Sequence, residues 1–459
     1  MADELTLAAD ADARARHYLE GIERRRVFPD ADAIAGLSRF DEPLPEHGRP
    51  GPETLALLDD VGSPATVATN GPNYFGYVIG AALPAAAAAE RLMLAWDQVG
   101  LSFETSPAAA TLELLAGRWV LDALDLPRDS AVGFGTSATA CTVSCVTAAR
   151  RALLLRMGWN FDEDGLAGAP PIRVVVSESV HVTVKKALRI LGFGTKQLVA
   201  APADQFGRID PERLPPLDAA TILFLQAGEV NTGEFDPFAQ ILPRAREAGA
   251  WVHVDGAFGL WARVSPKYRH LTEGIEQADS WTTDGHKWLN TPYDGAMAIC
   301  RDADALAAAM NSDAAYATAA RDAQKNLTLE FSRRARGIPV WAALRSLGRA
   351  GVAELVERNC AQAARIAEGL RAHGFDIGNR VLLNQVVVRA DTDEATVAIR
   401  EAAQKSGDIW FGPTVWQGRP AFRISVCSWR TRDEHIERAI DLLGRLNMRI
   451  SSGALADSV

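Results

Sequence analysis

Short, nearly continuous apolar runs alternate with longer stretches of helical period over most of this chain. IRVVVS (172–177), ATILFLQA (220–227) and AWVHVD (250–255) are of the first kind. Runs this short with so little polar alternation mark strands covered on both faces. Between them, VTVKKALRILG (182–192) and PFAQILPRAREAG (237–249) carry apolar residues at helical spacing. AERLMLAWDQ (89–98) and TLELLAGRWVLDAL (111–124) read as helices ahead of them. Strands alternating with helices of this length predict βαβ units and a mostly parallel central sheet with helices on both faces.

The texture changes towards both ends. Residues 5–25 have the pattern of one amphipathic helix, and residues 29–52, with five prolines, read as an extended connector. After residue 340 a long helical pattern runs from Trp341 to Gly374, followed by the strand runs LLNQVVVRA and AFRISVCS and a last helix, DEHIERAIDLLGRL. The predicted organisation is an N-terminal helical and extended segment (1–83), a large α/β domain (84–340), a smaller C-terminal α+β domain (341–450) and a disordered tail (451–459).

Composition narrows the function classes. With 459 residues, 48% of them hydrophobic, the chain is long enough for a large core. The formal net charge of -10, without a long basic run, argues against nucleic-acid binding. Cys141, Cys145, Cys300, Cys360 and Cys427 are odd in number and form no CxxC pair, so neither a metal site nor a disulfide framework is expected. The N-terminus is acidic and lacks an apolar signal core, and the alanine-rich stretch around Pro84 is too short to span a bilayer. These features predict a cytoplasmic protein with no membrane role.

Four places along the large domain bring chemistry to strand ends. GFGTSATAC (133–141) is a small-residue loop opening into a helix, suited to an anion at a helix N-terminus, although many helices begin with such caps. His181 follows the strand 172–177; alone, such a histidine is more often structural. Asp255 ends AWVHVD on the edge where parallel sheets bind ligands, a helix cap being the alternative. Lys287 follows DSWTTD (279–284) within TTDGHKWLNTPYDG (282–295) and is either a solvated strand-end residue or a buried amine kept for its chemistry.

This order resembles the fold-type I pyridoxal-phosphate enzymes. HVDGAFG (253–259) followed by DGHKW (284–288) is similar to the group II amino-acid decarboxylases, the family that includes aromatic amino-acid decarboxylase. The resemblance runs from about residue 70 to 429. It implies pyridoxal 5'-phosphate as cofactor, carried by Lys287 as a Schiff base, with Asp255 paired to the pyridine nitrogen and His181 stacked on the ring and taking part in proton transfer. Ala257 matches a small residue against the other ring face. Ala138 and Thr139 match phosphate-binding positions, and His286 a further cofactor contact. An amine must be neutral to attack an aldehyde, and burial favours that form of a lysine. Trp288 and Leu289 are expected to supply the apolar cover.

Several positions depart from the family pattern. Asp284 stands where asparagine is frequent, and a carboxylate near a phosphate must point away or find a cation. Val230 replaces a frequent threonine, leaving Asn231 to take over its hydrogen bond to the cofactor, while Glu229 faces either the substrate or a turn. Between residues 312 and 332 the family's loop tyrosine has no clear counterpart: Tyr316 is the only tyrosine, and Leu327 falls nearer the usual position. The expected reaction is decarboxylation of an L-amino acid, aromatic or apolar in preference to acidic, to the amine. Oxygen-dependent formation of an aldehyde, another carbanion reaction, or cofactor binding without catalysis are the alternatives. Tyr74, Phe75, Tyr77 and Trp416 either line the substrate pocket or only pack. The resemblance also implies a homodimer with its active site at the interface.

Overall fold

The computed structural model describes residues 4 to 311 and 322 to 452. The chain divides into two compact units: a large one formed by Ala82–Ala361 with Asn379–Gln385, and a small one that gathers Met1–Ala81, Gln362–Gly378 and Val386–Val459.

The large unit is built on a seven-stranded sheet. Its strands are β1 (Ala131–Gly135), β2 (Arg173–Ser177), β3 (Val199–Ala201), β4 (Thr221–Gln226), β5 (Trp251–Asp255), β6 (Ser280–Asp284) and β7 (Ala296–Cys300), in the spatial order β1-β7-β6-β5-β4-β2-β3. The predicted strands 172–177, 220–227, 250–255 and 279–284 are β2, β4, β5 and β6, and the neighbours among them pair in parallel. β7 is antiparallel to both β6 and β1. Two reversals restore the direction, so β1 runs the same way as β6. Gly135 at the end of β1 and Asp284 at the end of β6 face the same residue, Ala296, from opposite sides. Asp255 is in register with Thr282 on one side and Gln226 on the other. The ends of β1, β6, β5 and β4 therefore lie level on one edge of the sheet.

Helices cover the sheet as predicted. The ones that matter here are α1 (Pro107–Ala123), α2 (Ala138–Arg156) and α3 (Val182–Ile190). By length and composition α2 is apolar enough to cross a bilayer, yet most of it is buried, and Val146, Ala149 and Leu153 pack with Val174, Val176, Ile222, Phe224 and Trp251. Its apolarity serves a core between sheet and helices.

β1 is an edge strand, and its outer side is closed by a side chain. The Gln324 amide accepts from the Phe134 N–H (2.9 Å) and donates to the Val132 carbonyl (2.9 Å), reproducing the pairing of a neighbouring strand. Gln324 is held in turn by Arg333, whose guanidinium forms two bonds to Glu113 of α1 (2.8 and 2.6 Å). Both members of this ion pair are buried. Leu327, placed by the sequence nearest a mobile-loop aromatic, is instead buried in the core cluster, with its carbonyl lying directly on Gly133.

In the small unit a four-stranded sheet has the order β10-β11-β9-β8, made of β8 (Asp376–Ile377), β9 (Gln385–Arg389), β10 (Gly412–Trp416) and β11 (Arg419–Ser425). The first helix covers Glu4–Glu20. The stretch expected to be an extended connector contains one short helix, Ala31–Gly36, and a second, Gly51–Leu57, begins at its end. Asp30 caps the first by accepting from the Ala33 N–H, and Pro52 sits in the first turn of the second, where no N–H is needed.

Replacing Gly133 by alanine drives a methyl group into the Leu327 carbonyl. Gly133→Ala is expected to cost about 1–3 kcal/mol, read as a lower denaturant midpoint. An unchanged midpoint would show that residues 322–327 do not rest on β1.

Candidate active site

The site is assembled from the loops that leave the level strand ends. Asp255 closes β5, and its Oδ1 accepts from the Ala257 N–H at 3.1 Å. The Ala257 carbonyl accepts from the Asp284 N–H (2.9 Å), so one short turn ties the end of β5 to the end of β6. The second carboxylate oxygen of Asp255 has no protein partner among the described residues. On the same face of β5, His253 is fully buried, with Nδ1 2.9 Å from the Ser280 hydroxyl. Burial pushes its pKa down to about 4, against the pull of Asp255.

Lys287 lies in the turn after β6. Asn290 shapes that turn: it adopts a left-handed backbone (φ 56°), which asparagine tolerates, and its side-chain amide donates to the carbonyls of Lys287 (3.1 Å) and Trp288 (2.9 Å). Trp288 and Leu289 are fully buried, and the Trp288 indole donates to Asn359. The expected apolar shield is only partial at the amine. The Lys287 side chain is 22% exposed, and its Nζ stands 3.3 Å from the Asp284 carboxylate, whose side chain is 3% exposed. A buried anion, rather than hydrocarbon alone, meets the lysine.

Asp284 also accepts from the Ala138 N–H, the first of α2, at 2.7 Å. Ser137 caps the same helix by accepting from the Ala140 N–H. The Thr139 N–H and hydroxyl are left without a hydrogen-bond partner among the described residues. His286 Nδ1 accepts from the Gly295 N–H (3.2 Å), so the neutral ring carries its hydrogen on Nε2, which is 3.7 Å from Asp284. Burial lowers the His286 pKa, and the ring stacks on Tyr293 with centroids 4.3 Å apart.

His181 is the N-cap of α3. Its Nδ1 accepts from the Thr183 N–H (3.4 Å) and lies 2.6 Å from the Thr183 hydroxyl. This contact again leaves the ring hydrogen of the neutral imidazole on Nε2. Gln226, at the end of β4, donates to the Ser179 hydroxyl (3.3 Å) and so steadies the loop that carries His181. Glu229 serves a turn: its buried carboxylate accepts from the Asn231 and Thr232 N–H groups, both at 2.8 Å, and from the Asn231 amide. Asn231 is thereby held against Glu229.

Tyr74, Phe75, Tyr77 and Trp416 belong to the small unit. Tyr74 stacks on Trp410 (5.0 Å), Phe75 is buried, and Tyr77 is exposed. Trp416 packs with Val387 and Ala421 and donates to the Gly378 carbonyl. Tyr316 lies outside the described residues.

An amine, a carboxylate with one open oxygen, and a helix N-terminus with a free N–H and hydroxyl form a donor set that suits an aldehyde bearing a basic ring nitrogen and a phosphate. Residues 44–390 match the family model described as the pyridoxal-dependent decarboxylase conserved domain. The chain belongs to the pyridoxal-dependent decarboxylase family. As a member of it, the chain is an amino-acid decarboxylase that uses pyridoxal phosphate, and the α/β architecture is fold type I. It is 28% identical to tryptophan decarboxylase 1 of Oryza sativa subsp. japonica, over 93% of this chain and 90% of that protein. It is also 28% identical to phenylacetaldehyde synthase of Arabidopsis thaliana, over 86% of each. The fold superposes on the crystal structure of Oryza sativa TDC with PLP and tryptamine at a TM-score of 0.90 and 24% identity, covering 98% of this chain and 99% of that one.

Thr183, Gln226 and Asn290 escaped the reading of the sequence. Thr183 and Asn290 bond to His181 and Lys287, two and three residues away, whereas Gln226 reaches Ser179 across 47 residues of chain, which no sequence spacing reveals.

The depressed pKa of His253 has a defined sign. Unfolded, the ring takes a proton as pH falls below its ordinary 6.5; folded, it resists until about 4. Its contribution is therefore complete above pH 6.5 and is lost as pH falls towards 4. Asp236, which burial pushes up to about 7, has the opposite slope: its contribution is complete below about 4 and is lost as pH rises through 7. The difference between wild type and His253→Gln isolates the histidine. The stability difference is expected to change by about 3 kcal/mol between pH 6.5 and 4, measured by urea unfolding. A constant difference would mean that His253 titrates alike in both states.

Proposed function

We propose that this protein decarboxylates an aromatic L-amino acid, or a similarly apolar one, to the corresponding amine and carbon dioxide. The observation that carries the reading is the placement of Asp255 and Lys287 at the ends of neighbouring parallel strands, beside a helix N-terminus. Bound pyridoxal phosphate supplies an electron-accepting ring that stabilises negative charge left at the substrate α-carbon. Lys287 would hold the cofactor, Asp255 would keep a proton at the ring nitrogen with its open oxygen, and Thr139 would contribute its N–H and hydroxyl to the phosphate. The Nε2–H of His181 faces the task of holding or delivering a proton, with Thr183 fixing the ring. The preference for an aromatic substrate draws on relatives named tryptophan decarboxylase and tyrosine decarboxylase.

Aldehyde formation is the second reading. Relatives named phenylacetaldehyde synthase are as similar to this chain as the decarboxylases, Leu327 is committed to the core, and Tyr316 is the sole tyrosine in the sequence of the segment 312–332. Amine, aldehyde and hydrogen peroxide measured together on tryptophan, tyrosine and phenylalanine separate the two. Stoichiometric amine without peroxide supports decarboxylation alone; equal aldehyde and peroxide overturn it.

A homodimer and a cytoplasmic location complete the proposal. Leu92, Leu94, Trp96 and Phe103 expose large apolar side chains within a short stretch of the large unit, as a surface covered by a second copy would. All five cysteines are free and buried, in keeping with a reducing compartment.

Lys287→Ala is expected to abolish both the visible absorbance of the purified holoprotein and at least 99% of turnover, on the order of the losses seen when a covalent catalyst is removed. Retention of either at wild-type level would overturn the assignment of Lys287.

A further inference from the structure

Asp284 occupies an unusual position for a carboxylate beside a phosphate site. It is buried, it takes the first N–H of α2, and it pairs with the lysine that would carry the cofactor. The positions that match phosphate-binding residues of the family, Ala138 and Thr139, are the first two of that same helix. One of their two N–H groups is thus already used by the protein's own anion.

We propose that Asp284 is a positioning residue which acts as a built-in anion: it holds Lys287 against the N-terminus of α2 in the cofactor-free protein and competes there with the phosphate of the incoming cofactor. The inference rests on the cofactor reading above. Three features support it. Asp284 and Lys287 neutralise each other in the cofactor-free protein, and the helix N-terminus favours the negative partner. The neutral His286 presents Nε2–H towards the same carboxylate without adding a full charge. Finally, a carboxylate can only accept hydrogen bonds, whereas an asparagine amide there would still accept from Ala138 and would also donate to an anion. The aspartate therefore steadies Lys287 and the N-terminus of α2 and weakens phosphate binding through like-charge repulsion.

A purely structural residue would, on substitution, lower stability and ligand affinity together. Asp284 is expected to move them in opposite directions. For Asp284→Asn, the cofactor-free protein should melt at a lower temperature than wild type. Its dissociation constant for pyridoxal phosphate, from absorbance titration, should fall by about threefold or more. Inorganic phosphate should raise its melting temperature more than it raises that of wild type. Asp284→Ser, which also removes the charge, carries the same expectations if the asparagine variant does not fold. Equal or weaker binding of both ligands by the variants, beside a wild type that binds the cofactor, overturns the inference. A wild-type protein that takes up no pyridoxal phosphate sinks the cofactor reading and this inference with it.

Discussion

The site depends on one constraint of the sheet: the antiparallel strand β7 is inserted between β1 and β6, and so leaves both running in the same direction. Side chains that follow β1, β6, β5 and β2 thereby emerge on a single edge, although their positions in the chain span 150 residues or so. Parallel sheets bind ligands at this edge because the loops that leave it converge while the strands beneath stay rigid. Across β7, Gly135 and Asp284 share Ala296 as a neighbour, and the Ala138 N–H reaches the Asp284 carboxylate at 2.7 Å.

Charge at that edge is arranged by backbone more than by side-chain pairing. Asp255 has one oxygen fixed by the Ala257 N–H and one left open. Asp284 is fixed by Ala138 and answered by Lys287. Glu229, a third acidic residue, accepts from the Asn231 and Thr232 amides and the Thr232 hydroxyl of its own turn. Three carboxylates of similar intrinsic chemistry thus have three uses, set by which donors surround them. The histidines follow the same logic. A backbone N–H directed at Nδ1 sets the hydrogen of neutral His181 and His286 on Nε2, while burial keeps His253 neutral down to about pH 4.

Fastening around the site is local and easily overlooked. Asn290 clamps the lysine turn with a single amide, and Gln324 closes the open edge of β1 with another. Such side chains imitate backbone, and amides do this at little cost because each offers one donor side and one acceptor side. The Glu113–Arg333 pair then anchors Gln324.

The sequence alone determined the strands β2, β4, β5 and β6 and the helices between them, because a strand buried on both faces must be apolar throughout and leaves a plain pattern. It also determined that Asp255 and Lys287 stand at strand ends, and the motifs around them pointed to the family. Short or glycine- and alanine-rich elements were not legible: β7 reads as AMAIC, whose alanines and methionine favour helix over strand, and the short helices near residues 31 and 51 start at the Asp30 cap and at Pro52 rather than from periodicity. Only the tertiary structure decided that Asp284 faces both Lys287 and a helix N-terminus, that Leu327 belongs to the core, and that Glu229 serves a turn. Those outcomes depend on which groups meet across more than a hundred residues of chain, or on the direction of a single carboxylate, and neither leaves a trace in local hydrophobic spacing.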